Sequence, residues 1–367
     1  MAPLSPDDTD RERERQTLSQ IANTRVVTIG GGTGQFAVLS SLKRYPCSIS
    51  AIVTMADSGG SSRRLMDEFG VLPLGDLRQA LVALSRRGVL WRDVFTFRFG
   101  PGQASPTSAE PGAGDEHAQR LADQMGVSGH SLGNLIISAL QDLNDGNLMY
   151  AVEDAQELLD TAGKVLPVTL AHATLCADCE DGSRIIGETN IDTRGEDHPG
   201  KLSPIRRVFL EDHTPPCEDA IRALRRADVI VIGPGDLYTS IIPNLLVDGV
   251  AEAVRTSEAR KIYVCNLMTK HGETDGFTAS RFVEEIHRYL GERVDRVIVH
   301  DGSFPKHLLG LYAAQEQHPV QPDLDALRRL VPDVVVDPLL AVHGDQLIRH
   351  DTARLVHAIF SPPDFSI

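Results

Sequence analysis

The stretch Arg25-Val26-Val27-Thr28-Ile29-Gly30-Gly31-Gly32-Thr33-Gly34 decides the fold. Its first residues form a short β-branched run, which favours an extended strand. Glycines 30, 31, 32 and 34 follow at once. Phe36, Val38, Leu39 and Leu42 then recur at helical spacing. Strand, glycine turn and helix in that order open a βαβ unit.

The same grammar returns along the chain. Ser50–Met55 reads as a buried strand leading into Asp57-Ser58-Gly59-Gly60-Ser61-Ser62. Residues 76–87 read as an amphipathic helix with Asp76 at its N-cap. Residues 100–117, rich in Gly, Pro, Ala and Ser, read as a mobile loop. Gly129-His130-Ser131-Leu132-Gly133-Asn134 leads into the apolar helix LIISALQDL, and Glu153–Val165 predicts another helix. From Val165 to about Phe209 several strands stand close together, which predicts a small antiparallel or mixed β section without its own core. Beyond it, Val229–Ile232, Ile262–Asn266 and the run VDRVIVHDG read as strands between helices. Residues near 334 read as an edge strand, and HDTARLVHAIF as the last helix.

Strands alternating with helices imply right-handed crossovers and a mainly parallel sheet. Ligands of such sheets sit beyond the strand C-termini, where the strand order reverses. Four polar segments here directly follow strands: 30–34, 57–62, 233–240 and 266–274. They are expected to gather at one sheet edge.

Composition sets the outer limits. The chain has 367 residues with a formal charge of −15, 41% apolar and 24% charged residues. These values describe a globular protein and exclude collagen-like or wholly disordered chains. The acidic balance argues against a general nucleic-acid binder. No apolar run approaches the ~20 residues a membrane span needs. Residues 1–24 are polar and aperiodic, so a disordered leader without a secretory signal is expected. The rest, 25–367, reads as one domain. Its five cysteines are odd in number and scattered, as in a reduced protein. Cys176 and Cys179 form a C-x-x-C within a hairpin turning at Asp181-Gly182. Residues three apart on a strand face opposite ways, so the thiols diverge.

Each polar motif has a functional and a plain reading. Gly30-Gly31-Gly32-Thr33-Gly34 suits a phosphate cradle or a tight turn. It is not a Walker A loop, and Gln35 occupies the last position of G-x-G-x-x-G counted from Gly30. Asp57, Ser58, Gly59, Gly60 and Ser61 suit a phosphate, a sugar hydroxyl, a hydrated metal or a helix cap. Asp76 and Arg78 offer a carboxylate and a guanidinium, or a cap and a surface side chain. His130 and Asn134 offer an imidazole and an amide. Gly233-Pro234-Gly235-Asp236, with Thr239 and Ser240, suits a rigid anion-binding turn. Asn266 and Met268 suit contacts to a base. No H-E-x-x-H motif is present in the sequence. Asp57 and Asp76 together can share a magnesium ion with a diphosphate.

Longer stretches carry a resemblance: VVTIGGGTG, AIVTMADSGGSSRRLMDEFGVLPLGDLRQALVALS, GHSLGNLIISAL, EDGSRIIGETNI, ADVIVIGPGDLYTSIIPNLLVDGV, YVCNLMTKHGETDGF and RHDTARL. In this order, over roughly residues 25–360, they resemble the YvcK/CofD-like family, specifically its gluconeogenesis-factor branch. The resemblance implies a Rossmann-like three-layer α/β sandwich, with a small β-containing subdomain, in a cytoplasmic protein. In the YvcK branch it implies a UDP-sugar ligand such as UDP-N-acetylglucosamine, with a role in carbon metabolism and cell-envelope shape. In the CofD branch it implies magnesium-dependent transfer of a phospholactyl-type group from a guanylyl-activated donor to a deazaflavin.

The chain departs from the YvcK pattern where two adjacent acids usually precede Gly-Gly-Ser-Ser, because the second is Ser58. That removes a metal ligand. Arg63 stands where Gly is common, which narrows the pocket mouth or adds a phosphate contact. The sparse acid–base inventory favours a regulatory nucleotide-sugar binder that needs no cofactor. It would be read by a protein partner, and a homo-oligomer is compatible with the family. A CofD-like transferase, with Asp57 as metal ligand or base, is the alternative. A nicotinamide oxidoreductase is disfavoured by Gln35.

Overall fold

The computed structural model describes residues 21–56, 72–99, 129–197, 200–344 and 347–362. Arg25–Gly30 forms β1, with every residue after Arg25 buried. The β2 strand is Ser48–Val53, and β3 is Gly163–Pro167. Across a short β section and a helix lies β7, Val229–Ile232, followed by β8, Arg260–Val264. The β9 strand is Arg296–His300, and β10 is Asp333–Asp337. These seven strands form one sheet in the order β10-β9-β8-β7-β1-β2-β3. Each adjacent pair is parallel.

Successive strand residues face opposite sides of a sheet. The unbroken burial of β7 and β9 therefore means that both faces are covered, as parallel sheets require. The flanking helices include Gly32–Leu42, Gly75–Leu84, Glu218–Arg226 and Ala279–Leu290. Ile29, Ile52, Ile230, Ile262 and Ile298 are fully buried in this core. Each such side chain contributes about 1.5–3 kcal/mol of apolar transfer free energy. The α/β class and mainly parallel sheet expected from the alternation are what the structure shows.

The strand order locates the switch point. From β1 the chain moves outward through β2 to β3, then returns to β7 on the other side of β1. The crevice between the β1 and β7 C-termini is thus where loops diverge and a ligand has room.

Several boundaries differ from the sequence reading. Ile21 is fully buried, and Thr24 O accepts from Ser48 N at 2.9 Å, so the ordered chain begins before Arg25. The remainder of the expected leader and the 100–117 segment lie outside the described residues. The helix predicted from Asp76 begins at Gly75 with Leu74 as N-cap, which places Asp76 in the first turn. The helix expected at Glu153–Val165 runs instead from Leu148 to Leu159. Its cap is Asn147, whose Oδ1 accepts from Met149 N and Tyr150 N. Gly163–Val165 belongs to β3, because Gly163 allows close approach to Ile49 where a Cβ would overlap its carbonyl.

The β section also divides. The β3 strand joins the main sheet. Leu175–Cys179 (β4), Arg184–Ile186 (β5) and Ile205–Leu210 (β6) form a separate antiparallel sheet in the order β5-β4-β6. Gly182, at φ +88°, makes the hairpin turn. Cys176 and Cys179 are both buried and free. Leu340–His343 (β11) and Leu347–His350 (β12) make a second hairpin. No described helix is long and apolar enough to cross a membrane.

Candidate functional site

The glycine run folds as the sequence predicts but with a division of labour among its residues. Gly32 starts the Gly32–Leu42 helix at φ +60°, a conformation that strains any residue with a Cβ. Gly31 packs against Asp76, whose Oδ2 a Cβ at Gly31 would overlap. Gly34 packs against the Pro234 carbonyl in the same way. Gln35, buried at the place of the missing fingerprint glycine, donates through Nε2 to Ile52 O at 2.9 Å and Thr28 Oγ1 at 3.1 Å. It clamps the helix start to β1 and β2.

The first turn of this 11-residue helix has no side-chain cap and no acidic residue. The Asp76 carboxylate stands against Gly31 at this end, and the helix amides and dipole favour an anion there. They open on a cavity of about 270 Å³ lined by Gly31, Gly32, Thr33 and Gly34. After β7, Pro234, Gly235, Asp236 and Ser240 form the second wall, starting from a cis Gly233-Pro234 bond. After β8, Asn266, Leu267, Met268, Thr269 and Lys270 form the third. Asn266 Nδ2 donates to Gly235 O at 2.8 Å, and its buried Oδ1 has no partner among the described residues. Asn244, fully buried, donates to Gly30 O at 3.2 Å and to Ser240 O at 2.9 Å, which ties the end of β1 to the second wall.

Three of the four segments expected at one edge thus meet there. Asp57, Ser58, Gly59, Gly60 and Ser61 lie outside the described residues. Asp76 sits behind Gly31 and does not line the cavity. Arg78, His130 and Asn134 are buried and do not line it either. Arg78 Nε donates to Asn134 Oδ1 at 3.0 Å, and NH1 to Phe95 O at 3.2 Å. These two residues, read from sequence as separate ligand groups, hold each other.

Sequence reasoning missed the fourth wall. Tyr312, Gln317, Ile348, Arg349 and His350 reach the cavity from the Lys306–Ala313 helix, the turn after it and β12. His350 is buried, and its Nε2 lies 3.1 Å from Cys265 O. A carbonyl only accepts, so this nitrogen carries the proton. Burial lowers the His350 pKa to about 4.

A charged group completes the rim. Lys270 Nζ contacts Asp192 Oδ1, Asp236 Oδ2 at 3.0 Å and Glu273 Oε1 at 3.0 Å. Thr239 Oγ1 lies 3.4 Å from both Asp192 Oδ1 and Glu273 Oε1. The Glu273 side chain is 0% exposed, and its Oε2 has no partner among the described residues. Burial pushes the Glu273 carboxyl up to about 7, with Lys270 opposing the shift. Burial alone would lower Lys270, but Glu273, Asp236 and Asp192 outweigh it and raise its pKa. The three acids are close enough to share a cation. In this structure the lysine ammonium supplies it.

The profile of the family described as 2-phospho-L-lactate transferase CofD matches residues 26–340. The gluconeogenesis factor of Halalkalibacterium halodurans is 39% identical over 336 residues, spanning 91% of this chain and 95% of the relative. The gluconeogenesis factor of Bacillus subtilis is 37% identical over 333 residues, spanning 90% and 95%. A crystal structure of a UPF0052-family protein from Bacillus halodurans is similar at a TM-score of 0.80 and 38% identity. That match covers 92% of this chain and 99% of the other.

Proposed function

The chain belongs to the CofD family, in its gluconeogenesis-factor group, and from that premise we propose that its cavity binds a nucleotide sugar of the UDP-N-acetylglucosamine type. The observation that carries this reading is the glycine-rich start of the Gly32–Leu42 helix, which opens on the cavity at the switch point. The diphosphate lies on the Gly31–Gly34 amides, with Arg349 as a counter-charge. Asn266 Oδ1, a buried acceptor in need of a donor, suits a base N–H or a sugar hydroxyl. Lys270, the amine on these walls, is held as an ammonium by Asp192, Asp236 and Glu273, so binding rather than turnover is the proposed role. The bound state would report nucleotide-sugar supply to a protein partner in the cytoplasm, in control of carbon metabolism and envelope shape.

The test is calorimetry and thermal shift with UDP-N-acetylglucosamine, UDP-glucose, GDP, GTP and NAD, with and without magnesium. At ~100 times the dissociation constant, a native-state ligand adds about 2.7 kcal/mol of stability. A UDP-sugar-selective shift is expected, whereas turnover of that sugar or equal response to every nucleotide would overturn the reading.

The family description favours one second reading, a CofD-like transferase. Magnesium there would rest on Asp57, outside the described residues, with Asp76 beside Gly31. When bound, the metal would neutralise diphosphate charge. A magnesium-dependent guanine-nucleotide shift would select this reading.

A further inference from the structure

We propose that Lys270 is an exchangeable phosphate contact, held for the ligand by Asp192 and Glu273 and released to it by Asp236. The inference rests on the reading that the cavity takes a phosphate-bearing ligand. A lysine ammonium has three N–H donors. Each faces one acid: Asp192 Oδ1, Asp236 Oδ2 and Glu273 Oε1. Two of these acids stand away from the cavity, and neither lines it. Asp236 does line it, as does Lys270. The Asp236 side chain is 42% exposed, while that of Glu273 is fully buried.

Asp192 and Glu273 by themselves meet the single positive charge, so the third acid is surplus. Asp236 is the one acid among the described residues that line the cavity, where it stands with Lys270 and Arg349. A phosphate oxygen can take the place of Asp236 Oδ2 on the third N–H while the other two contacts stay. Lysine suits this exchange, because its ammonium is a compact charge on a flexible stem. The exchange also sets selectivity. A phosphate-bearing ligand gains the contact, and an uncharged nucleoside has nothing to offer in place of Asp236.

The experiment is titration calorimetry of wild-type, Asp236→Asn and Lys270→Met proteins with UDP-N-acetylglucosamine, UDP, pyrophosphate and uridine. Removing the competing charge in Asp236→Asn is expected to tighten UDP and pyrophosphate about fivefold, as for one partly screened charge. Uridine affinity should not change. Lys270→Met is expected to weaken UDP about tenfold or more relative to uridine. Equal losses for UDP and uridine in Asp236→Asn would mean that the aspartate only shapes the turn, and would overturn the proposal. If wild type binds UDP-N-acetylglucosamine but the UDP-to-uridine ratio is the same in all three proteins, this inference alone falls. If no phosphate compound binds wild type, the functional reading falls with it.

Discussion

Gly34 and Pro234 touch backbone to backbone, and a Cβ at Gly34 would overlap the Pro234 carbonyl. The contact joins the helix start after β1 to the turn after β7, so it fixes the width of the cavity mouth. Gly34→Ala cannot be relieved by rotating a side chain, because the obstacle is main chain. We expect a loss of about 1–3 kcal/mol, the usual cost of forcing extra volume into packed structure. Ligand affinity should fall with it. Gly30→Ala is the control, since its nearest neighbour is Gln35 Cβ at an ordinary 3.5 Å. Denaturant midpoints of both variants test the pair.

Arg78 and Asn134 form a buried polar pair, with the 3.0 Å bond between Nε and Oδ1. Asn134→Ala removes that acceptor from a guanidinium that is 6% exposed. A lost partner of this kind costs about 1–3 kcal/mol. The expected phenotype is lower stability with unchanged ligand selectivity in the folded fraction. A selective loss of UDP-sugar binding at full stability would instead return Asn134 to the ligand.

This pair shows where sequence reading reaches its limit. The glycine run, the β7 turn and Asn266 were legible because turn chemistry and strand periodicity are local, and topology then brings strand C-termini together. Whether Arg78 faces a ligand or a neighbouring helix is not local. It depends on Phe95 and Asn134, which are 17 and 56 residues away. The fourth wall was hidden for the same reason. Tyr312 and Arg349 follow no glycine turn at the end of a central strand. They arrive through a helix and a hairpin that pack over the edge. His350 stood within a recognised stretch, yet only the 3.1 Å approach to Cys265 O shows it buried at the cavity. Lys270 and Glu273, three residues apart, look like an ordinary surface ion pair until Asp192 and Asp236 join them.

Asn266 supplies a third prediction. Its Nδ2 holds Gly235 O, and its Oδ1 is a buried acceptor without a partner among the described residues. Asn266→Leu keeps much of the volume but removes both the donor to Gly235 O and the acceptor offered to the ligand. Both free-protein stability and nucleotide binding should fall, the latter by about tenfold if one hydrogen bond worth ~1.4 kcal/mol is lost. Calorimetry with UDP and with uridine checks it. Equal loss for both ligands places the contact on the base side.

Two buried groups give the folded state opposite responses to acid. His350 has its pKa lowered by burial from an ordinary 6.5 to about 4. Neutral in the native state, it supports the fold fully above pH 6.5. That support, on the order of 3 kcal/mol, is lost as pH falls from 6.5 to 4, because the unfolded chain takes up the proton first. Glu273 moves the other way. Burial raises it from 4.5 to about 7. Its ionised form therefore burdens the native state above pH 7, and the burden lifts as pH falls towards 4.5, because the native state takes up the proton first. In wild type the two slopes partly cancel between pH 4.5 and 6.5. His350→Gln should remove the first and leave a protein whose stability rises on mild acidification. Glu273→Gln should remove the second and leave one that loses stability more steeply than wild type from pH 7 down to 4.5. Denaturant unfolding of all three proteins at half-unit pH steps reads both slopes. Parallel curves would show that neither group carries the assigned shift.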